Sequence, residues 1–315
     1  MTEKKSGTGK RTYGEIDIVI PVYKPGPEFR RLLTLLQKQT VRPSHILLVN
    51  TEKELFDESC TEGIDNVEVI HVRKAEYDHG GTRHMAASKL CGEFILFLTQ
   101  DAVPADEHLI EELAGAFARS DVCAAYARQL PRPECDVLEK YTRSFNYGEE
   151  SRVKTAADLP KLGVKTFFCS NVCAMYRRSA YEELGGFERH TIFNEDMIFA
   201  GKLIQNQKAV AYCAKAKVIH SHNYSGLQQF HRNFDLGVSQ AEHPEVFGGI
   251  SSESEGIKMV KKSAAYLFKI RKPHLLPKLV YVSGCKFIGY RLGRAYQKLP
   301  HWLIKTCTMN QGYWR

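Results

Sequence analysis

The chain contains no long apolar run. No stretch reaches the roughly 18 uninterrupted apolar residues that a membrane-spanning helix needs. The polar, lysine-rich start, Met1 to Arg11, also lacks the apolar core of a signal peptide. We therefore expect a protein that stays in the cytosol. Its 315 residues can bury a full core and exceed one ordinary domain, which predicts a main domain with an appendage.

Cys-x-x-Cys pairs are absent as well. The nine cysteines are odd in number and scattered along the chain. A disulfide framework needs paired cysteines and a zinc ribbon needs closely spaced ones, so this distribution argues against both. We expect reduced thiols that mostly fill the core.

Acidic side chains are missing from the C-terminal part. Residues 256–315 carry 13 Lys or Arg and no Asp or Glu, which leaves residues 1–255 with 31 basic and 36 acidic side chains, a balance of −5. Aromatic and aliphatic residues are interleaved with the basic ones, as in Lys286-Phe-Ile-Gly-Tyr-Arg-Leu. This pattern favours an amphipathic segment on an anionic membrane surface. A solvated basic face and a nucleic-acid patch are the alternatives.

What the chain does contain is an alternation of strand and helix patterns. Strands are predicted at Ile16–Val22, His45–Asn50, Val67–Val72, Phe94–Leu98, Val122–Gln129, Phe167–Tyr176 and Ala209–His220. Helices are predicted at Phe29–Gln39, Thr82–Leu90, His108–Phe117, Ser179–Leu184 and Asn194–Asn206. Such alternation implies βαβ units and a parallel sheet. Residues 1–14 are expected to be disordered, and residues 131–165 carry no clear pattern.

Two predicted strands end on side chains that bind metals. Asp101 closely follows the buried run Phe94–Leu98, at the edge of the sheet where α/β proteins bind ligands. His220 ends the last predicted strand. If the neutral imidazole of His220 lies close to Asp101, the two side chains would form a site with nitrogen and oxygen ligands that could hold Mn²⁺ or Mg²⁺ beside a diphosphate. The alternatives are a surface Asp that opens a turn and a hydrogen-bonded surface His.

Two predicted helix starts carry charged residues that could take part in catalysis or binding. Glu195 and Asp196 follow Asn194, which can cap the helix, and negative charge is favoured in the first turn. One of these carboxylates could instead act as a general base. A Gly80-Gly81 turn precedes Arg83, whose planar guanidinium suits a phosphate or a base edge, although an ordinary turn explains the pattern equally well.

The order of these short motifs resembles a known family. They are Ile18-Val-Ile-Pro-Val-Tyr23, Val49-Asn50, Gly80-Gly81-Thr82-Arg83, Thr99-Gln100-Asp101, Gly185-Gly186-Phe187, Asn194-Glu195-Asp196 and Val218-Ile-His220. Together they resemble a family 2 glycosyltransferase with the GT-A fold. The blocks Asp78–Arg83 and Ser221–Tyr224 resemble, more narrowly, its bacterial rhamnosyltransferase branch. The resemblance implies an α/β fold with a mostly parallel, Rossmann-like sheet flanked by helices over residues 15–245, and leaves 246–315 as a basic amphipathic helical extension.

The resemblance also implies an activity. It is an inverting transfer of a sugar from a nucleotide-diphosphate donor, here dTDP-L-rhamnose, to a hydroxyl of a growing, lipid-linked polysaccharide. A divalent metal, Mn²⁺ or Mg²⁺, would serve as cofactor. The enzyme would work in the cytoplasm at the inner face of the cell membrane, held there by its basic tail, and would bind no nucleic acid.

Five residues match substrate-binding positions of the family. Pro21 and Tyr23 would border the nucleoside, and Arg83 would lie at the base or the diphosphate. Asn50 would lie near the pyrimidine edge, where many relatives have Asp; its amide oxygen could still accept a hydrogen bond from the pyrimidine N3–H. Gln100, which is next to the predicted metal ligand Asp101, is also predicted to bind the substrate.

Four residues match metal and catalytic positions. Asp101 matches the last Asp of the family's Asp-x-Asp metal motif, and His220 matches a histidine that completes the metal site in some relatives. Asp196 matches the catalytic base, with Glu195 beside it. Thr99 stands where the motif has its first Asp, so the predicted metal site has fewer charged ligands than the family pattern.

Two other functions compete with this prediction. A sugar nucleotidyltransferase also uses an α/β sheet and a metal, but would have a Gly-rich loop with Arg and Lys after the first strand, where this chain has Pro21–Pro25. A membrane-associated scaffold with a degenerate transferase domain draws support from Thr99 and Gln100.

Overall fold

Buried apolar runs form one β-sheet in the part of the chain that the computed structural model describes, residues 13–249 and 253–314. The strands are β1 Ile16–Val22, β2 His45–Thr51, β3 Val67–Val72, β4 Phe94–Leu98, β5 Val103–Pro104, β6 Val122–Leu130, β7 Arg152–Lys154, β8 Cys173–Arg177 and β9 Ala209–Ile219. They lie in the order β3-β2-β1-β4-β8-β6-β9-β5, and β7 also pairs with β9. β1 to β4, β6 and β9 run in one direction and β5, β7 and β8 run against them. The predicted mostly parallel sheet is confirmed. Most of the predicted disordered start, residues 1–12, lies outside the described residues.

Helices cover both faces of this sheet, as expected for an α/β fold. They are α1 Pro27–Gln37, α2 His79–Ala87, α3 Leu109–Gly115, α4 Val137–Asn146, α5 Leu159–Leu162, α6 Arg178–Glu183, α7 Glu195–Gln205, α8 Gly226–Glu242, α9 Pro244–Phe247, α10 Glu253–Lys269, α11 Leu276–Arg294 and α12 His301–Cys307. Alternate residues of the central strands point to opposite faces, so Val19 and Phe97 join one hydrophobic core while Ile18 and Leu96 join the other.

Three segments differ from the sequence-based prediction. Residues 131–165, which carried no clear pattern, form α4, β7 and α5. The strand predicted at Phe167–Tyr176 starts only at Cys173, because Gly163–Phe167 turns as a short 3₁₀ helix. The helix predicted from Thr82 starts at His79, because the Asp78 side chain accepts hydrogen bonds from the backbone N–H groups of Gly80 and Gly81. The Gly-Gly pair therefore lies inside α2 and is not a turn before it.

The cysteines are as predicted. All nine are free thiols, and most of them are buried. The buried members are Cys123, Cys135, Cys169, Cys173, Cys213 and Cys307.

The C-terminal helices pack against the rest of the protein through glycine. A Cβ at Gly237 of α8 would lie within 3.0 Å of the Tyr290 carbonyl oxygen in α11. A Cβ at Gly289 or Gly293 of α11 would meet backbone of α8 in the same way. The two helices therefore approach each other at backbone distance. Within residues 13–249 and 253–314, no helix combines the length and the apolarity that crossing a bilayer requires.

Candidate active site

Asp101, His220 and His222 meet at the carboxyl edge of the parallel strands. The short strand β5 brings them together, because its pairing places Val103 opposite Ile219 at the end of β9. The Asp101 carboxylate oxygen Oδ2 lies 3.5 Å from His220 Nε2 and 3.2 Å from His222 Nε2. The three ligand atoms lie within 4.8 Å of one another. The structure thus unites Asp101 with His220 and adds His222, which the sequence prediction did not include among the metal ligands.

The electrostatics of this cluster suit a divalent cation. Burial acts to raise the pKa of Asp101, but the two adjacent histidines lower it by more and hold the pKa well below its usual range. Burial lowers the pKa of His220, only partly opposed by Asp101, so the imidazole is neutral at pH 7. One ionised carboxylate and a neutral imidazole whose donor atoms converge form a mixed oxygen and nitrogen set of the kind that binds Mn²⁺. These residues therefore fit a divalent metal.

The second predicted pair, Glu195 and Asp196, opens α7. Asn194 does not cap this helix as predicted: its side chain makes no capping bond, and its backbone is left-handed with φ 75°. Asn tolerates this conformation better than most residues. Instead, Asn171 holds both carboxylates, through its backbone N–H to Asp196 Oδ2 at 2.8 Å and its side-chain Nδ2 to Glu195 Oε1 at 3.1 Å.

The two carboxylates differ in charge. Glu195 is 5% exposed and forms a buried ion pair with Arg83 at 3.2 Å. Burial raises its pKa, but Arg83, His79 and the Asn171 hydrogen bond lower it by more. For Asp196, burial and the negative charge of Glu195 raise the pKa to about 7. Asp196 keeps some accessible surface, whereas Glu195 is buried.

Four of the five predicted substrate-binding residues line one cavity of about 370 Å³. They are Pro21, Tyr23, Arg83 and Gln100. This volume lies in the range of small-molecule sites. Gln100 fixes the cavity wall, because its side-chain amide accepts from the Tyr23 N–H at 2.8 Å and donates to the Tyr23 carbonyl at 2.9 Å. It thereby ties the end of β1 to the loop after β4.

Asn50 is not part of this wall. Its side chain is fully buried. The Nδ2 atom donates to the Glu52 carbonyl at 3.0 Å and lies 3.1 Å from His71 Nδ1. Successive side chains of a strand point to opposite faces, and its neighbour Thr51 lines the cavity instead.

Other lining residues escaped the sequence prediction. Lys74, Tyr77 and His79 all line the cavity, on the loop and first helical turn around the Gly-Gly motif. The block Asp78–Arg83 was the available signal, because it marks the same loop. Lys74 lies 5.9 Å from the centre of the Tyr23 ring, a contact between distant segments that no local pattern reveals.

A comparison with protein families explains this geometry. The model of the family described as glycosyl transferase family 2 matches residues 17–185. The chain belongs to glycosyl transferase family 2. The matched segment contains Asp101 and the predicted substrate-binding residues, and the competing prediction of a sugar nucleotidyltransferase is set aside.

Two curated relatives of this transferase extend the likeness to nearly the whole chain. One is the O-antigen chain rhamnosyltransferase RfbN of Salmonella typhimurium strain LT2, 38% identical over 304 residues, which are 95% of this chain and 96% of the relative. The other is the O-antigen chain rhamnosyltransferase WbaN of Salmonella anatum, 38% identical over 308 residues, 94% of this chain and 95% of the relative. The predicted resemblance to bacterial rhamnosyltransferases is confirmed.

Solved structures show the same fold at much lower identity. The mannosyltransferase PcManGT from Pyrobaculum calidifontis, in complex with GDP-Man and Mn²⁺, aligns with a TM-score of 0.56 at 14% identity and covers 96% of this chain and 85% of its own. Residues 1–349 of TarS from S. aureus align with a TM-score of 0.52 at 15% identity, over 90% of this chain and 91% of that one. These likenesses confirm the GT-A type of fold for the family 2 transferase.

Proposed function

We propose that this transferase moves L-rhamnose from dTDP-L-rhamnose to a hydroxyl of a lipid-linked cell-surface polysaccharide precursor, with inversion at the anomeric carbon. The sugar rests on the two rhamnosyltransferase relatives, which match nearly the full chain. The proposed chemistry rests on the position of the loop after β4. Its Gln100 lines the cavity while its Asp101 belongs to the Asp-His-His cluster, so a donor in the cavity would lie beside that cluster.

Residues of the cavity would bind and orient the nucleotide. Tyr23 offers a half-exposed ring for stacking, and Lys74 supplies a positive charge near it. Arg83 lines the cavity but already pairs with Glu195, so we assign it mainly to holding that carboxylate beside Asp196. Asp101, His220 and His222 would hold Mn²⁺ or Mg²⁺. A bound divalent ion would offset the negative charge that develops on the leaving diphosphate.

Asp196 would be the general base. A nucleotide diphosphate is a good leaving group, so one base that accepts the proton of the attacking hydroxyl suffices for a single displacement. Backbone N–H groups of Asn171 and Met197 each donate to one oxygen of Asp196 at 2.8 Å and fix its plane. Attack opposite to the leaving group inverts the configuration.

Membrane contact is the second part of the proposal. The exposed apolar side chains Val280, Phe287 and Ile288 lie at helical spacing on one face of α11, within the basic C-terminal part. Phe287 and Ile288 are 53% and 54% exposed. We assign this face to the anionic cytoplasmic surface of the membrane, where a lipid-linked acceptor would be found.

One assay tests the enzymatic part of the proposal. Purified protein is incubated with a panel of nucleotide sugars, Mn²⁺ and a lipid-linked acceptor, and the product and its anomeric configuration are identified. We expect transfer from dTDP-L-rhamnose with inversion, and its loss in Asp101→Ala. Transfer from a different sugar nucleotide would replace rhamnose and leave the transferase chemistry standing. Full activity of Asp101→Ala in the presence of a chelator would contradict the metal assignment.

A further inference from the structure

Gln129, at the end of β6, contacts His220 from the side opposite to Asp101. Gln129 is 2% exposed, and its Oε1 lies 3.1 Å from His220 Nδ1. An amide oxygen accepts hydrogen bonds and does not donate them. The hydrogen of this contact must therefore lie on Nδ1 of His220, and the neutral ring with its hydrogen there is the tautomer that can bind a cation. Its Nε2 then presents a lone pair toward Asp101 and His222.

Arg143 of α4 decides which end of that amide faces the histidine. Its guanidinium hydrogen-bonds the same Oε1 atom of Gln129. Because a guanidinium only donates, the atom between Arg143 and His220 must be the oxygen. Arg143 is held in turn by Glu139, whose Oε1 lies 2.6 Å from its Nε, and both side chains are more than four-fifths buried.

The other end of the Gln129 amide reaches toward the catalytic carboxylates. Its Nε2 donates to Ser170 Oγ at 3.0 Å. Ser170 immediately precedes Asn171, whose backbone N–H holds Asp196. A single amide thus lies between the Asp-His-His cluster and the loop that positions the base.

We propose that Gln129 and Arg143 are positioning residues that lock His220 in the tautomer able to bind a divalent cation. The inference rests on the proposed metal site. Neither residue touches the cation in this arrangement; they act through the imidazole ring. A hydrogen-bond partner on the second ring nitrogen fixes both the tautomer and the orientation of a metal-binding histidine, and its loss weakens metal affinity by about 10-fold to 100-fold.

The first experiment measures Mn²⁺ affinity in the absence of any sugar nucleotide, by electron paramagnetic resonance of the free ion. Gln129→Leu, of similar size but without an acceptor, should bind Mn²⁺ about 10-fold to 100-fold more weakly. Gln129→Glu keeps an acceptor for the Nδ1–H and should retain the affinity. Arg143→Met should weaken it, because the amide can then turn its NH₂ group toward His220. Arg128→Met is the matched control, since Arg128 precedes Gln129 on β6 and pairs with Glu149.

The second experiment reads the tautomer directly. Long-range ¹H–¹⁵N correlation spectra of metal-free protein with ¹⁵N-labelled histidine should show His220 protonated at Nδ1. The Arg143→Met spectrum should show an Nε2–H population. This measurement needs no substitution for the wild-type result, so an unstable variant does not prevent the test.

Three results would overturn the proposal. They are an Nε2-protonated His220 in the wild type, Gln129→Leu and Arg143→Met proteins that bind Mn²⁺ as tightly as Arg128→Met, and a wild-type protein without Mn²⁺ affinity. Sugar transfer, measured separately, decides the proposed function. If Asp101→Ala loses Mn²⁺ binding while Gln129→Leu does not, the metal site stands and the positioning role falls.

Discussion

Two adjacent carboxylates at the start of α7 differ in charge because their surroundings differ. Glu195 lies against Arg83 and stays ionised, whereas Asp196 lies beside Glu195 and is driven toward its neutral form. A pair of acidic groups whose pKa values are pushed apart is a common arrangement at catalytic sites. At the scale of single residues, this contrast supports the proposal that Asp196 accepts the proton.

Replacing Asp196 by Asn tests this assignment. The amide cannot accept the hydroxyl proton, so we expect turnover to fall by about 10²-fold or more, the scale of a lost general base. Donor affinity should stay close to that of the wild type, because the cavity residues are untouched. The measurement is single-turnover transfer together with calorimetry of nucleotide binding. Near-normal turnover would remove Asp196 from the mechanism.

The pH dependence of the reaction follows from the same group. A base works only when ionised, and the pKa of Asp196 is raised to about 7. We therefore expect kcat to fall about tenfold per pH unit below about pH 7. Glu195→Gln removes the neighbouring negative charge, which should lower the pKa of Asp196 and move this acid limb to lower pH. A wild-type limb near the ordinary aspartate pKa would contradict the role given to Glu195.

At the scale of elements, the first turn of α2 is held against the loop before α7. A Cβ at Gly80 would lie within 3.0 Å of the Glu188 carbonyl oxygen, and one at Gly81 would meet Arg189 in the same way. Asp78 caps this turn and also receives the Thr191 N–H at 3.3 Å. The Gly-Gly motif thus joins the element that carries Arg83 to the segment that leads into Glu195.

Gly80→Ala should therefore destabilise the protein. The added methyl group meets backbone, which cannot move aside as a side-chain tip can, and overpacking of this kind costs about 1–3 kcal/mol. The free energy of unfolding in urea provides the measurement. Gly115→Ala is the control, because Gly115 lies in α3 with open space around it. This variant should be more stable than the wild type by about 0.4–1 kcal/mol in the free energy of unfolding. Equal stabilities for the two variants would refute the close-approach argument.

The sequence predicted the strands of this sheet better than the contacts between its elements. β4 is a continuous buried run and β1 is nearly so, whereas β3 is only partly buried, and the bounds of all three strands match the prediction. The partners of the site residues come from distant segments: Asn171 reaches both carboxylates, and His222 meets Asp101 where β5 pairs with β9. Such contacts depend on the sheet order, which hydrophobic periodicity does not encode. The left-handed Asn194 was missed for a related reason, since a residue suited to capping is also suited to that conformation.

At the scale of the whole molecule, apolar residues lie on both faces of α11. Leu279 and Gly289 are buried on one side, while Phe287 and Ile288 are exposed on the other. Exposed apolar side chains on the outer face of a packed helix favour a second partner for that face. With 13 basic and no acidic side chains in residues 256–315, an anionic bilayer fits that face in charge.

The double substitution Phe287→Ser and Ile288→Ser tests the membrane contact. Each of these side chains stabilises by about 1.5–3 kcal/mol when fully buried, so binding to phosphatidylglycerol vesicles should weaken by about tenfold or more. Sedimentation with vesicles gives the affinity. The control is Leu55→Ser, an exposed apolar residue remote in sequence from the basic tail. Unchanged sedimentation of the double variant, or equal binding to neutral phosphatidylcholine vesicles, would contradict the proposal.

The glycine contacts between α8 and α11 set a rule for exchanging parts among related enzymes. Gly237 is on α8, before the tail begins, while Gly289 and Gly293 belong to the tail itself. A chimera that receives a foreign C-terminal segment with a larger residue at position 289 or 293 would place a side chain against the α8 backbone, where there is room only for the hydrogen of glycine. To graft the acceptor or membrane preference of one relative onto another, both helices would have to be transplanted as a unit.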